Sequence, residues 1–148
     1  MDIGSGRVLS VFQNEAEITA AHPLANRIVI GDKQGRVRVV DLASNKVVRE
    51  TNVGVGAIGG LAASSTRDRI AVLGKNYQLV LLEASSGRTI TSMQFAKPEG
   101  EGAIDLRAPR IVPSASEDEF FVVAMPEYVL DGKLSRISFD SGKILKTT

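Results

Sequence analysis

The sequence predicts an all-β fold built from a repeated, four-stranded antiparallel unit. The main observation is a gap-free internal repeat, in which residues 27–41 align with residues 69–83 at an offset of 42. Within each copy, short runs rich in Val, Ile and Leu alternate with turns that contain Gly, Asn or Asp, which is typical of antiparallel strands. The segments between these turns are too short and too β-branched for a helix.

The first copy divides into strands at its turns. Its apolar runs are 28–30, 37–40 and 47–48, with a turn at 32–35 after the first of them. We expect Ser44 and Asn45 to form a two-residue hairpin centre before the last run, because Asn tolerates the positive φ of such turns. A further strand precedes each copy, at 17–20, 58–63 and 110–112. His22 and Pro23 are then expected in the turn that follows the first of these strands.

A third, looser copy occupies the end of the chain. Its segments are 119–125, 133–139 and 141–143, and the turn residue recurs at Gly6, Asn45, Gly87 and Gly142. The last of the three intervals between these turn residues is 55 residues. This length predicts an insertion, either at 97–107 or at 126–132.

The repeat resembles the blades of WD-repeat and lactonase-like β-propellers, whose period is near 40 residues with four strands per blade. Val40-Asp41 and Leu82-Glu83 stand where WD repeats carry Trp-Asp, and Pro23 stands where that family often has a proline. The chain contains no Trp, so the hydrogen-bonded tetrad of a true WD repeat cannot form. The resemblance implies divergent propeller blades.

We therefore predict one β-propeller-type repeat domain over residues 1–148, with about three blades. The blade units are 15–51, 57–95 and 102–148, and residues 1–14 contribute an orphan outer strand. Three blades do not easily close a ring, since known propellers have four to eight. Three explanations stay open: a piece of a longer propeller, a six-bladed ring completed by two copies, or an irregular sheet assembly.

The composition excludes several classes of function. Lys and Arg number 18 against 17 Asp and Glu, and the net charge of +1 gives no electrostatic case for nucleic acid or membrane partners. The chain has no Cys and one His, which leaves little for a transition-metal site. No signal-peptide pattern or membrane-spanning run is present, so a cytoplasmic location is the default expectation.

Three motifs could carry chemistry, and each has a simpler structural interpretation. Gly54-Val-Gly56-Ala-Ile-Gly59 matches a dinucleotide fingerprint, but the repeat predicts a strand after it where that site needs a helix. His22 has no predicted nucleophile or acid beside it. The acidic clusters, Glu99 with Glu101 and Asp105, and residues 117–119, are interpreted as solvated loop charge. We expect no catalytic, cofactor or metal site.

The best candidates for partner binding are basic and aromatic side chains. Arg36 and Arg38 project from one face of a strand and could hold an acidic partner or a phosphate, or could instead form an exposed face or ion pairs. The turns between the second and third strands would lie on one rim of the disc and add Lys33, Lys75, Tyr77 and Tyr128.

The predicted function is a non-catalytic protein-interaction or scaffolding module. This prediction depends on analogy with propellers, because a fold does not fix a function. Its partner would be another protein or another copy of the chain. One alternative is part of a propeller enzyme with a loop-built site at the central channel. A second alternative is a structural subunit that closes a ring by homodimerisation.

Overall fold

The computed structural model describes residues 8, 11–95, 109–124 and 133–148, and these form three four-stranded antiparallel sheets. Sheet 1 contains β1 (Ile18–Leu24), β2 (Arg27–Asp32), β3 (Arg36–Asp41) and β4 (Lys46–Asn52). Sheet 2 contains β5 (Ile58–Ser64), β6 (Arg69–Gly74), β7 (Gln78–Glu83) and β8 (Thr89–Gln94). Sheet 3 contains β9 (Arg110–Pro113), β10 (Glu119–Ala124), β11 (Lys133–Ser138) and β12 (Ile144–Thr147). No helix occurs in these ranges, and the all-β prediction is confirmed.

Each sheet is a meander in which strands that follow one another in sequence are hydrogen-bonded neighbours. The first strands of adjacent sheets, β1 with β5 and β5 with β9, lie against each other. The sheets therefore stack face to face in chain order, with their first strands together at one edge. We call the face directed to the next sheet in the chain the leading face, and the opposite one the trailing face.

Two apolar cores lie between the sheets. The first joins the leading face of sheet 1, through Val29, Val37 and Val39, to the trailing face of sheet 2. The second joins the leading face of sheet 2, including Leu79 and Leu81, to the trailing face of sheet 3. Val39 and Leu81 are repeat equivalents, and each lies inside its core as the alignment predicts.

Sheet 2 is buried on both faces, and its sequence reflects this. The run Gln78–Glu83 is apolar at four consecutive positions and does not alternate with polar residues. Such continuous runs are typical of strands that are covered on both sides. The fourth strands of the sheets carry exposed polar residues instead, for example over Lys46–Asn52.

Glycine permits the close approach of neighbouring sheets. A Cβ added at Gly31 would lie 2.7 Å from the Ile58 side chain, and one at Gly60 would lie 2.5 Å from that of Ile111. Both neighbours belong to the first strand of the next sheet. The same device therefore serves both inter-sheet contacts.

The turn between the third and fourth strands is built in the same way in each sheet. Asn45, Gly87 and Gly142 have φ of 55°, 75° and 68°, as expected for the recurring turn residue. The two-residue hairpin centre is wrong, however, because β3 ends at Asp41 and β4 begins at Lys46. The longer turn leaves N–H groups for a side chain to cap, and Asp41 accepts hydrogen bonds from the Ser44 N–H (2.8 Å) and hydroxyl (2.9 Å).

The predicted position of His22 and Pro23 in a turn is also wrong. Both lie within β1, and the turn follows at Ala25 and Asn26. Ala25 adopts φ of 52°, so the left-handed residue of this turn is not one that sequence rules favour. Both predicted insertions, most of the orphan strand, and the cluster of Glu99, Glu101 and Asp105 lie outside the described residues.

Candidate interaction surfaces

The turns between second and third strands form one rim, where sequence analysis placed the basic candidates. Lys33 and Lys75 are repeat equivalents, and their backbone N–H groups donate to the carbonyls of Glu17 (3.0 Å) and Ala57 (2.9 Å). The Lys33 ammonium also lies 3.6 Å from the Glu17 carboxylate. The structure therefore brings these two lysines to equivalent places in sheets 1 and 2.

Tyr77 lies in the same rim turn, but its side chain is buried, with 7% of the residue exposed. It aligns with Gly35, and both residues have positive φ, 69° and 83°. Tyr77 thus has a backbone conformation that favours glycine, and its side chain is buried in the protein. Tyr128 lies outside the described residues. The assignment of both tyrosines to partner binding stays a prediction.

Arg36 and Arg38 lie on the trailing face of sheet 1, as strand alternation predicts. Arg36 donates from Nε to Asp32 Oδ2 (2.9 Å) and from Nη1 to Glu15 Oε2 (3.1 Å). Arg38 donates from Nε to Glu50 Oε2 (2.6 Å). Both guanidinium groups are largely buried. They are engaged in ion pairs within the chain, and whether they also contact a partner stays a prediction.

Asp32 is the buried carboxylate at the centre of this cluster. Burial alone would raise the pKa of Asp32, but its hydrogen bonds outweigh that effect and hold the pKa below its usual value. The N–H groups of Gln34 (2.9 Å) and Arg36 (3.1 Å) donate to Oδ1. Asp32 therefore stays ionised at neutral pH and fixes both the rim turn and the Arg36 side chain.

Residues 11–17 lie across the trailing face of sheet 1, and we call them the N-terminal strap. Asn45 Nδ2 donates to the Val11 carbonyl (2.8 Å), and Arg38 donates to the Asn14 side chain. Together with the Glu15 and Glu17 contacts, these bonds follow the strap along its length. The strap thus lies against the trailing face of sheet 1, just as sheet 1 lies against that of sheet 2 and sheet 2 against that of sheet 3.

At the opposite rim, polar bonds join the first turns of sheets 2 and 3. The Glu117 carboxylate accepts from the Ser65 hydroxyl (3.1 Å) and the Thr66 N–H (3.0 Å). The Arg67 guanidinium donates to Asp118 Oδ1 (2.6 Å from Nη2). Glu117 and Asp118, interpreted from the sequence as solvated loop charge, instead connect two sheets. We call this group the inter-sheet clasp.

The clasp predicts acid sensitivity. Hydrogen bonds from Thr66 hold the pKa of Glu117 below its usual value, and those from Arg67 do the same for Asp118. A carboxylate with a lowered pKa in the folded state contributes stability above its unfolded pKa and loses it as pH falls through the folded pKa. We therefore expect the urea midpoint to fall between about pH 5 and pH 3, and to fall less in Glu117→Gln/Asp118→Asn.

The matched control for this experiment is Glu17→Gln. Glu17 is an exposed carboxylate at the other end of the stack. The Glu17→Gln variant should show nearly the same difference in urea midpoint between pH 7 and pH 3 as the wild type. If the double clasp variant loses as much stability in acid as the wild type does, the clasp does not contribute.

A small cavity of about 180 Å³ lies beside the first turns of sheets 1 and 2. Its lining is Leu24, Ala25, Asn26, Arg27, Ser65, Asp68, Ala84 and Ser85. The Ser85 hydroxyl already donates to Asp68 (2.5 Å). Within the described residues, no side-chain hydrogen bond or ion pair joins these two turns, so the rim is more open here than between sheets 2 and 3.

The leading face of sheet 3 is the surface that sequence analysis missed. By strand register, Val112, Phe121 and Arg136 lie side by side on it, as do Val123 and Leu134. These positions match the buried leading faces of sheets 1 and 2, yet Leu134 is 41% exposed. The signal was present in the third copy, where Arg136 stands at the position of Leu81. Its looser alignment concealed the match.

The described residues also include two of the motifs that the sequence analysis considered for chemistry. They contain no group of three His, Cys, Asp or Glu side chains that could hold a metal ion. His22 Nδ1 lies 2.7 Å from its neighbour's carbonyl, that of Pro23. Gly54 and Gly56 lie in the connection between β4 and β5, and the strand β5 follows where a dinucleotide site needs a helix.

These features define the fold as a partial β-propeller-type structure of three four-stranded blades. Comparison with solved structures supports this class. BamB from Moraxella catarrhalis, a β-propeller, matches with a TM-score of 0.70 and 13% identity, over 93% of this chain and 38% of BamB. The chain therefore spans well under half of that protein's length.

Two computationally designed proteins match as well. Ika4 has a TM-score of 0.66 and 17% identity, over 97% of this chain and 79% of Ika4. Ika8 has a TM-score of 0.64 and 16% identity, over 91% of this chain and 37% of Ika8. No family model and no curated protein matches the sequence. At these identities, the likeness establishes the fold alone.

Proposed function

We propose that the chain is a non-catalytic protein-interaction module that binds through the ends of its sheet stack. The observation that carries this proposal is the leading face of sheet 3. Apolar side chains at Val112 and Leu134 are 44% and 41% exposed there, whereas Val39 and Leu81 are buried under another sheet. Exposed apolar clusters bordered by charge mark contact surfaces in soluble proteins.

The carboxylates support a structural role over catalysis. Wherever the pKa of an Asp or Glu in the described ranges is shifted, it is lowered, as for Asp41 and Glu83 by hydrogen bonds from Ser44 and Ser86. A general acid needs the opposite shift, which keeps it protonated near neutral pH. These groups instead cap turns.

The described ranges contain no helix that could cross a membrane.

We also propose kinship with WD-repeat or lactonase-like propellers. Asp41 and Glu83, which stand in place of the aspartate of Trp-Asp, each accept a hydrogen bond from the serine three residues later. In sheet 3 the Ser138 hydroxyl takes this role and accepts from the Asp140 N–H (3.2 Å). This repeated cap supports descent of the three blades from one repeat.

Site-specific photocrosslinking tests the proposed function. Benzoylphenylalanine placed at position 134 of the full chain should yield a defined adduct in cells, and the same probe at position 88 should not. Arg88 is a fair control because its side chain is 70% exposed on a turn of sheet 2, away from both ends of the stack. The adduct is identified by mass spectrometry and its binding is measured with purified protein.

Leu134→Glu should then weaken that binding about tenfold or more while the urea midpoint stays unchanged. Leu134 is 41% exposed and belongs to neither core between the sheets, so its replacement leaves both cores intact. Adducts of equal yield at both positions, or none at position 134, would overturn the proposal.

A further inference from the structure

We infer that the leading face of sheet 3 in one copy packs against the N-terminal strap and sheet 1 of a second copy, so that two copies close a ring of six sheets. This inference rests on the proposed function, since it names the partner of the same face. Three observations support it: the repeat position of that face, its charge, and the chemistry of the opposite end.

The repeat position shows what kind of surface fits. Inside the chain, two leading faces are each covered by the trailing side of the following sheet, and the third continues the same series. On this third leading face, several of the positions that are buried in sheets 1 and 2 are still apolar. Phe121 and Val123 are half-buried there, and Leu134 is exposed. The trailing side of a sheet is therefore the complementary surface, and the chain has one at sheet 1, with the strap lying across it.

The charge of the leading face is positive. Register places Arg110 beside Val123, and Lys146 beside Arg136, and side chains that are directly opposite share a face. The same face carries one carboxylate, that of Glu119, whose Oε2 lies 3.1 Å from Arg136 Nε. Three cations thus border the apolar centre, against one carboxylate.

The opposite end of the stack has the reverse balance. The strap and the trailing face of sheet 1 bring together four carboxylates and three cations, namely Glu15, Glu17, Asp32 and Glu50 with Lys33, Arg36 and Arg38. The side chains of Glu15 and Glu17 are 82% and 69% exposed although both are ion-paired. Val11, also in the strap, is 70% exposed. Acidic and apolar groups therefore meet a basic and apolar face.

The contact joins two different surfaces, so it is head-to-tail. Such contacts either close into rings or extend without limit. Two copies bring six sheets, which falls within the four to eight blades of known propellers. Closure also covers both ends of each stack, whereas a contact between two leading faces would leave both straps uncovered and would bring like charges together.

The first measurement is the absolute mass of the full chain by light scattering, over a range of concentrations. We expect the mass to rise from the 15.8 kDa of one chain to a plateau at twice that value. We also expect dissociation at high salt, because the contact is electrostatic at its rim. A single-chain mass at every concentration, or growth without a plateau, would overturn the inference.

Charge reversal then tests which surfaces meet. Arg110→Glu/Arg136→Glu reverses the leading face, and Glu15→Lys/Glu17→Lys reverses the strap. Each variant alone should raise the dimer dissociation constant about tenfold or more. An equimolar mixture of the two should restore the dimer, because each copy then offers the other a complementary face at both contacts. If the strap variant dimerises normally, or the mixture does not recover, the head-to-tail contact is wrong.

Two control variants test whether a change in mass is specific to the proposed contact surfaces. Arg88→Glu changes an exposed charge on a turn of sheet 2 and should leave the mass unchanged. Glu15→Gln/Glu17→Gln removes the strap charges with less disturbance of Arg36 and should also weaken the dimer, while the urea midpoint stays unchanged at protein concentrations where both proteins are monomeric. If the probe at position 134 captures a different protein while the mass stays that of one chain, the proposed function holds and this inference fails.

Discussion

Leu81→Asp is expected to unfold the protein at room temperature. Leu81 is 1% exposed in the core between sheets 2 and 3, and the described core contains no cation that could pair with a carboxylate there. Burying an unpaired charge, or protonating it to avoid that burial, costs several kcal/mol. Since a domain of this size is stable by only about 5–15 kcal/mol, most of that margin is lost.

Val39→Asp tests the same position one repeat earlier. It should act like Leu81→Asp, because Val39 is 2% exposed in the core between sheets 1 and 2. Val48→Asp is the matched control, since the same change on an outer strand should shift the urea midpoint little. Circular dichroism and urea unfolding measure all three variants. Folded, soluble Leu81→Asp or Val39→Asp protein would show that the strand register is wrong.

Gly35→Ala is expected to have the second-largest effect. Gly35 has φ of 83°, and a Cβ added there would lie 2.6 Å from the backbone carbonyl oxygen of Gly56. The backbone conformation costs about 1–2 kcal/mol for a residue with a Cβ. The steric conflict adds about 1–3 kcal/mol, because it pushes the rim turn away from the connection to sheet 2.

Gly54→Ala separates these two costs. Gly54 has a similar φ of 74°, but an added Cβ meets no atom within 4 Å. Its free energy of unfolding should therefore fall by the conformational cost alone, and Gly35→Ala should lose clearly more in the same urea titration. Equal losses in the two variants would contradict the close approach of Gly35 and Gly56.

The strands and cores could be predicted because the repeat carries that information locally. An apolar position that recurs 42 residues later, as Val39 and Leu81 do, occupies the same place in two sheets. Turn residues are equally local, since Asn45 and Gly87 need only the geometry of their own hairpin. The turn lies three residues later than predicted at His22 and Pro23, and the hairpin turn at Ser44 is two residues longer, because a strand or turn runs further than the pattern indicates.

The candidate surfaces were harder to predict because they depend on neighbours that are distant in sequence. The exposure of Arg36 and Arg38 depends on the strap, which lies more than 20 residues away and has no repeat equivalent in the alignment. The clasp joins residues more than 50 positions apart. Leu134 is apolar like its equivalents, and it is a candidate contact because, among the described residues, it is far more exposed than they are.

The stacking order of the sheets also determines how a disturbance spreads through the protein. The strands of each sheet are hydrogen-bonded to one another, and the sheets meet mainly through packed side chains, so the molecule behaves as a short one-dimensional array. Sheet 2 takes part in both described cores, whereas sheets 1 and 3 take part in one each. Cooperativity between the two ends of the chain is therefore transmitted through sheet 2. A change in its third strand reaches both cores at once, while loosening an end sheet leaves the other core intact.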